Sequence, residues 1–194
     1  MMVRILSILP GFVGALCLII VGISLIGYQS AESGSEVPIV PCSEGEIVCN
    51  IGMTGSDMEV PLAFMLLDIK LEVEWSEPNR GWIGVVESEA AETCPPDSNG
   101  LTQCESEDIN NFLITGGPDS DGSLEFQIDP GSYRFVSGGY DGAGLDSQLV
   151  KMSTSIHLNN YVELVLALAS GLLLLGAGEM AFPLRNLINR FREK

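Results

Sequence analysis

The sequence predicts a membrane-anchored β protein in which two transmembrane α-helices, one near each end, flank an antiparallel β-sandwich-like extracytoplasmic domain. Three observations predict it. Two long apolar runs lie at 5–28 and 161–182. Between them, apolar and polar residues alternate with a period of two, as in half-buried strands. Finally, mean hydropathy is +0.29 although the formal net charge is −17, which requires apolar and acidic residues to be segregated along the chain. The expected order is a cytoplasmic N-terminus (1–4), a first membrane helix (5–28), a linker (29–36), an acidic extracytoplasmic domain (37–160), a second membrane helix (161–182) and a basic cytoplasmic tail (183–194).

The first apolar run holds 24 uncharged residues, 5–28. At ~1.5 Å per residue it would span roughly 36 Å, enough for a hydrocarbon core of about 30 Å. It is longer than the apolar stretch of a signal peptide, and Tyr28-Gln29-Ser30-Ala31 makes a poor cleavage site, so an uncleaved anchor is expected. The second run is uncharged over 164–178 and ends at Pro183, which stops a helix. Arg4, Arg185, Arg190, Arg192 and Lys194 lie outside the two runs against one acid, Glu193, whereas the middle holds four basic and 23 acidic residues. The positive-inside rule then puts both termini in the cytoplasm. The apolar residues among the tail's arginines suit a helix on the inner membrane surface.

Small residues recur in both runs: Ser7, Gly11, Ala15 and Gly22 in the first, and Ala167, Gly171 and Gly178 in the second. Such residues let helices approach closely in lipid, so these positions are the expected packing face. Glycine is also simply common in membrane helices, and the stripe is open to that reading. Glu163 and Glu179 stand 16 residues apart, roughly 24 Å along a helix. Each is therefore expected at an interface rather than in an ion path.

The middle reads as strands. Leu67, Ile69, Leu71, Val73 and Trp75 alternate with Asp68, Lys70, Glu72 and Glu74. A turn at 76–81 leads to 82–87, expected as the second arm of a hairpin. Further strands are expected at 110–115, 124–128, around Tyr133 and Phe135, and at 150–158. The expected core is Leu67, Ile69, Leu71, Val73, Trp75, Trp82, Val85, Phe112, Leu124, Phe126, Ile128, Tyr133 and Phe135. Six or more short strands with Gly, Pro and Asp turns imply a sandwich or an open barrel.

Of five cysteines, Cys17 lies in the first apolar run. The other four suit two disulfides outside the reducing cytosol. The favoured pairing is Cys42 with Cys49 and Cys94 with Cys104. Zinc is disfavoured, because the spacings lack tight Cys pairs and His157 is the single histidine.

Nine basic against 26 acidic residues exclude a nucleic-acid binder of the usual kind. No nucleophile elbow, phosphate loop or dinucleotide fingerprint occurs, and no cofactor is expected. Asp119-Ser120-Asp121-Gly122 resembles the opening of a calcium loop, to which Asp141 and Asp146 could add oxygens; a plain hairpin turn is the preferred reading. His157 reads as a surface residue. The leading functional expectation is a non-catalytic membrane protein that binds or scaffolds a membrane or cell-surface protein, as an accessory subunit would. The alternatives are calcium or small-ligand sensing, and an envelope enzyme whose site sequence does not reveal.

Overall fold

The computed structural model describes residues 8–42, 49–140, 142, 144 and 146–181. In chain order the elements are α1 (Ile8–Ile26), β1 (Tyr28–Gln29), β2 (Ser33–Pro38), β3 (Gly52–Met53), β4 (Met58–Val60), a 3-10 turn (Leu62–Leu66), β5 (Leu67–Trp75), β6 (Gly81–Glu87), α2 (Ala90–Thr93), β7 (Leu113–Gly116), β8 (Ser123–Gln127), β9 (Gly131–Gly139), β10 (Ser147–Leu158) and α3 (Asn160–Ala181). They form two compact units, one built on the two long helices and the other spanning 29–155.

In the helical unit, α1 and α3 are long and apolar enough to cross a membrane. Pro10 sits in the first turn of α1, where its missing N–H leaves no intrahelical bond unmade. Gly27 ends the helix in a left-handed conformation (φ 74°), and its N–H bonds to Ile23 O and Ser24 O at 3.1 and 3.0 Å. Asn159 caps α3: its Oδ1 accepts the N–H of Tyr161 at 3.0 Å. The pairs Gly11–Ala177, Gly14–Ser170 and Ser24–Glu163 run in opposite directions along the two helices, which are therefore antiparallel.

The second unit is a sandwich of two antiparallel sheets. One has the order β1-β10-β5-β8, with β2 also paired to β10; the other has β3-β9-β6-β7, with β4 also paired to β9. The strand expected from the Leu67–Trp75 alternation is β5, with Ile69, Val73 and Trp75 buried and Lys70, Glu72 and Glu74 exposed. The expected hairpin between β5 and β6 does not form. The turn between them, closed by the N–H groups of Arg80 and Gly81 on Glu77 O, carries the chain from one sheet to the other. The burial of β6 explains why. Its first six residues are all buried. Ile83 and Val85 join the core between the sheets, while Trp82 and Val86 join a second core on the far face of the same sheet. Such a strand belongs at the centre of its own sheet, not at the edge of its neighbour's.

The second core is covered by the segment after β6, through Ala90, Cys94 and Ile109. Between the sheets, Phe126 and Tyr133 pack edge to face at 4.9 Å. The Tyr133 hydroxyl donates to Asp129 O at 2.8 Å, so Asp129-Pro130-Gly131 is a corner locked by a tyrosine four residues on. Buried Trp75 donates its indole N–H to Gly81 O at 3.0 Å. Of the expected core, Leu67, Leu71, Phe112, Ile128 and Phe135 are only half-buried. Sequence missed Ile39, Ile51, Ile83, Val86, Ile109, Val136 and Val150, all buried.

The linker expected at 29–36 is a second correction. Ser33–Pro38 pairs with β10, Pro38 opposite Ser147 and Ser33 opposite Met152. This polar, glycine-containing stretch has no alternation to betray a strand; it is extended because β10 offers it a free edge. The basic tail and Arg4 lie outside the described residues.

Candidate functional site

The strand order gives the sandwich one closed and one open side. On the closed side β7 and β8 meet tightly: a Cβ on Gly116 would lie 2.8 Å from Leu124 Cδ2. On the open side, β2 borders one sheet and β3 with β4 borders the other. Between these borders runs a cleft of 860 Å³. Its walls are Val37, Ile39 and Val40 from the β2 side and Met53 from β3, with Phe135 and Val136 behind. Val73, Ile83, Val150 and Met152 form its floor. The volume falls in the ~300–1,000 Å³ range of small-molecule pockets, and two methionines give the lining an adaptable surface.

Polar groups sit at the borders and are mostly engaged by the fold. Ser137 Oγ donates to Pro38 O at 3.2 Å, joining the two sheets. The Gly139 N–H on Val40 O at 2.9 Å makes a second tie. Thr54 and Phe135 exchange backbone and side-chain bonds at 3.0 and 3.2 Å, and Arg134 holds the carboxylate of Asp57 and Thr54 O beside them. Gln148 lies two residues from Val150 on the inward face of β10. It is buried, and neither its amide nitrogen nor its amide oxygen has a hydrogen-bond partner among the described residues.

The remaining wall, 97–101, comes from the loop between Cys94 and Cys104, which stand at disulfide distance (Cα–Cα 5.7 Å). Asp97 Oδ1 accepts the N–H groups of Asn99 and Leu101 at 2.8 and 2.9 Å, an Asx turn that spends the carboxylate on the loop itself. Gly100 takes a positive φ of 82° and presents its carbonyl to Met53 N–H at 2.8 Å; a Cβ there would lie 2.9 Å from Met53 O. Thr102 Oγ1 donates to Ile51 O at 2.9 Å. The loop thus extends the β3 border as a fixed wall. Cys42 and Cys49 form the other pair, Cα–Cα 5.2 Å.

Of the calcium ligands suggested by sequence, Asp119, Asp121 and Asp146 are described, and they do not form a group placed to hold a metal. Asp119 and Asp121 belong to the β7–β8 turn, which Gly122 (φ 89°) and the Ser120 hydroxyl on Gly117 O shape. Asp146 precedes β10 and gives its carbonyl to Ile39 N–H at 2.9 Å. Asp141 lies outside the described residues. Among the described residues no group of three or more His, Cys, Asp or Glu is placed to hold a metal. A smaller cavity of 250 Å³ borders Trp82, Glu105, Glu107 and Tyr140. Burial, aided by Asp119, pushes the Tyr140 phenol above 10.0, and its hydroxyl donates to Pro118 O at 2.6 Å.

In the helical unit, Gly11 faces Ala177, as its place in the stripe suggested. Ser7 lies outside the described residues, and the other members of that stripe are off the interface. Ala15, Ala167 and Gly171 are exposed, and a Cβ on Gly22, Gly171 or Gly178 would meet nothing within 4 Å among the described residues. Steps of four drift about 40° each around a helix of 3.6 residues per turn. The contacts run instead through Gly11, Gly14 and Ser24 of α1, opposite Glu163, Ser170, Leu173, Leu174 and Ala177 of α3. Ser170 Oγ donates to Gly14 O at 2.8 Å. His157 is not a free surface residue: its ring covers Gly27, and Nδ1 lies 3.0 Å from Ser24 O.

No protein-family model matches the chain, and no curated protein is similar to it in sequence.

Proposed function

We propose that the chain is a non-catalytic two-span membrane protein that holds its sandwich outside the cytoplasm and binds one elongated, lipid-like molecule in the cleft between the β2 and β3 borders. The membrane part rests on two terminal apolar helices, on the basic residues outside them, and on cysteine pairs suited to an oxidising compartment. The antiparallel helix pair agrees with both termini on one side.

The observation that carries the binding role is the cleft itself. It is an 860 Å³ space walled by Val, Ile, Met and Phe, in a domain of strongly acidic sequence. Apolar surface of that extent is costly to leave in water. An apolar chain would fill it, with a small polar head among Thr54, Ser98 and Asn99 at the rim. A domain tethered to a bilayer at both ends has lipid-like molecules at hand.

The test is native mass spectrometry of the full chain released from nanodiscs made with cell lipids. A one-to-one lipid adduct is expected, and it should disappear in Met152→Trp, which fills the cleft from a half-buried position. Absence of any adduct on the wild-type chain, or an adduct indifferent to Met152→Trp, overturns the reading.

Protein binding has one observation in its favour. β2 pairs with β10 as its one strand partner among the described residues; beyond Pro38 O, which Ser137 Oγ holds, its other edge could accept a partner strand. Crosslinking from native membranes through Ser35→Cys in a Cys17→Ser chain tests it: a partner should be captured there and not through a cysteine at Lys70 on β5.

A further inference from the structure

We infer that the turn Leu62–Leu66 is a lipid-inserting loop, a third point at which this chain enters the bilayer. The run 60–67, Val-Pro-Leu-Ala-Phe-Met-Leu-Leu, has no charge in a domain otherwise dense with acids. None of the five residues of the turn is buried. Leu62, Met65 and Leu66 are 76%, 61% and 57% exposed, and Phe64 is 36% exposed. Four large apolar side chains clustered on one surface turn are what a solvated loop avoids.

The register of the sheet says what covers them. Ser76 N–H bonds to Leu149 O at 3.0 Å, and Ser153 Oγ bonds to Glu72 at 3.3 Å, so β5 and β10 run antiparallel. The start of β5, which the turn feeds, therefore lies at the end of the sheet where β10 finishes. There the chain passes from Leu158 through Asn159 alone into the apolar helix α3. Ser155, the last residue of the sandwich unit, is joined to α3 by 156–159 alone, so the covalent path leads from that end of β10 straight into a segment read as membrane-spanning, and a lipid surface is the occupant that path supplies. Leucine, phenylalanine and methionine on a charge-free turn suit the headgroup–acyl boundary.

The inference rests on the two-span reading but not on the cleft. The test places a nitroxide on Met65→Cys, on Leu168→Cys and on Ser98→Cys, each in a Cys17→Ser full chain reconstituted in phosphatidylcholine liposomes. Each label's collision rates with oxygen, which partitions into lipid, and with a water-soluble nickel chelate are measured. Both position 168 and position 65 should favour oxygen, while position 98 should favour the nickel complex. A water profile at 65 with a lipid profile at 168 overturns the loop inference alone. A water profile at 168 overturns the two-span reading and this inference with it. Spin–spin broadening at 65 that disappears on dilution with unlabelled chain, without a preference for oxygen, assigns the turn to a second copy and likewise overturns lipid insertion. Chains that lose either cysteine pair or the wild-type circular dichroism are replaced by the neighbouring label at Leu66→Cys, read in the same way.

Discussion

The Ser24 hydroxyl donates to Glu163 Oε1 at 2.6 Å across 139 residues of sequence. Ser24 Oγ in turn accepts the Leu158 N–H at 2.7 Å. One small side chain thus ties the last turn of α1 to the first turn of α3 and to the residue before its cap. Ser24→Ala removes both bonds and should destabilise the helix pair by about 1–2 kcal/mol. Glu163→Gln keeps an acceptor and should cost less. Thermal unfolding followed by circular dichroism in one detergent checks the order, and equal losses in the two variants would speak against the clasp.

Close approach at Gly14 makes a second expectation. A Cβ there would lie 3.0 Å from Leu174 Cγ and 3.1 Å from Leu173 Cβ. Gly14→Val should therefore force the helices apart, at about 1–3 kcal/mol. Gly22→Ala and Gly171→Ala, which meet open space among the described residues, should be neutral or stabilising by up to ~1 kcal/mol through helix propensity. Melting of the three variants in parallel separates the observed interface from the stripe of four-residue steps.

The loop closed by Cys94 and Cys104, ten residues apart, forms one wall of the cleft. Replacing both by Ser should lower sandwich stability by about 2–4 kcal/mol. It should also weaken the lipid adduct, because the 97–101 wall loses one of its anchors. Denaturant titration gives the first effect and adduct abundance the second; an unchanged adduct would mean that the bridge from Gly52 to Leu101 suffices to hold the wall.

Alkaline pH should act through two tyrosines. Burial, then Asp129 and Glu87, raise the Tyr133 phenol above 10.0; burial and Asp119 do the same for Tyr140. The fold favours the neutral phenol, so this contribution is intact below pH 10 and is lost as pH climbs through the raised folded values. Phenolate absorbance should therefore rise late in the folded chain. Tyr133→Phe with Tyr140→Phe should flatten the fall in stability above pH 10, at the cost of the hydrogen bonds to Asp129 O and Pro118 O.

Elements with a strong local signal were legible. The alternation from Leu67 to Trp75 is β5, the two apolar runs are α1 and α3, and the cysteine spacings suggested the pairs that stand together. Pairings made by distance were not. The stretch 76–81 reads as a hairpin turn, yet it joins two sheets, because Trp82 to Val86 must be covered on both faces. The cleft was invisible for a related reason: β2, β3 and β4 are short or polar and carry no periodicity. Ser24, Gly14 and Ser170 were missed because small residues occur on several faces of each helix, and only the partner helix selects one.

By itself the sequence determined composition along the chain: which stretches avoid water, which alternate, where turns fall and where acids collect. These follow from each residue's own solvation and backbone preference, and neighbours a few positions away suffice to express them. Tertiary structure alone decided which sheet β6 joins, which helix faces meet, and that β2 and β3 stand apart around an apolar space. Those outcomes depend on how segments distant in sequence close around a common core, and no short window of sequence contains that information.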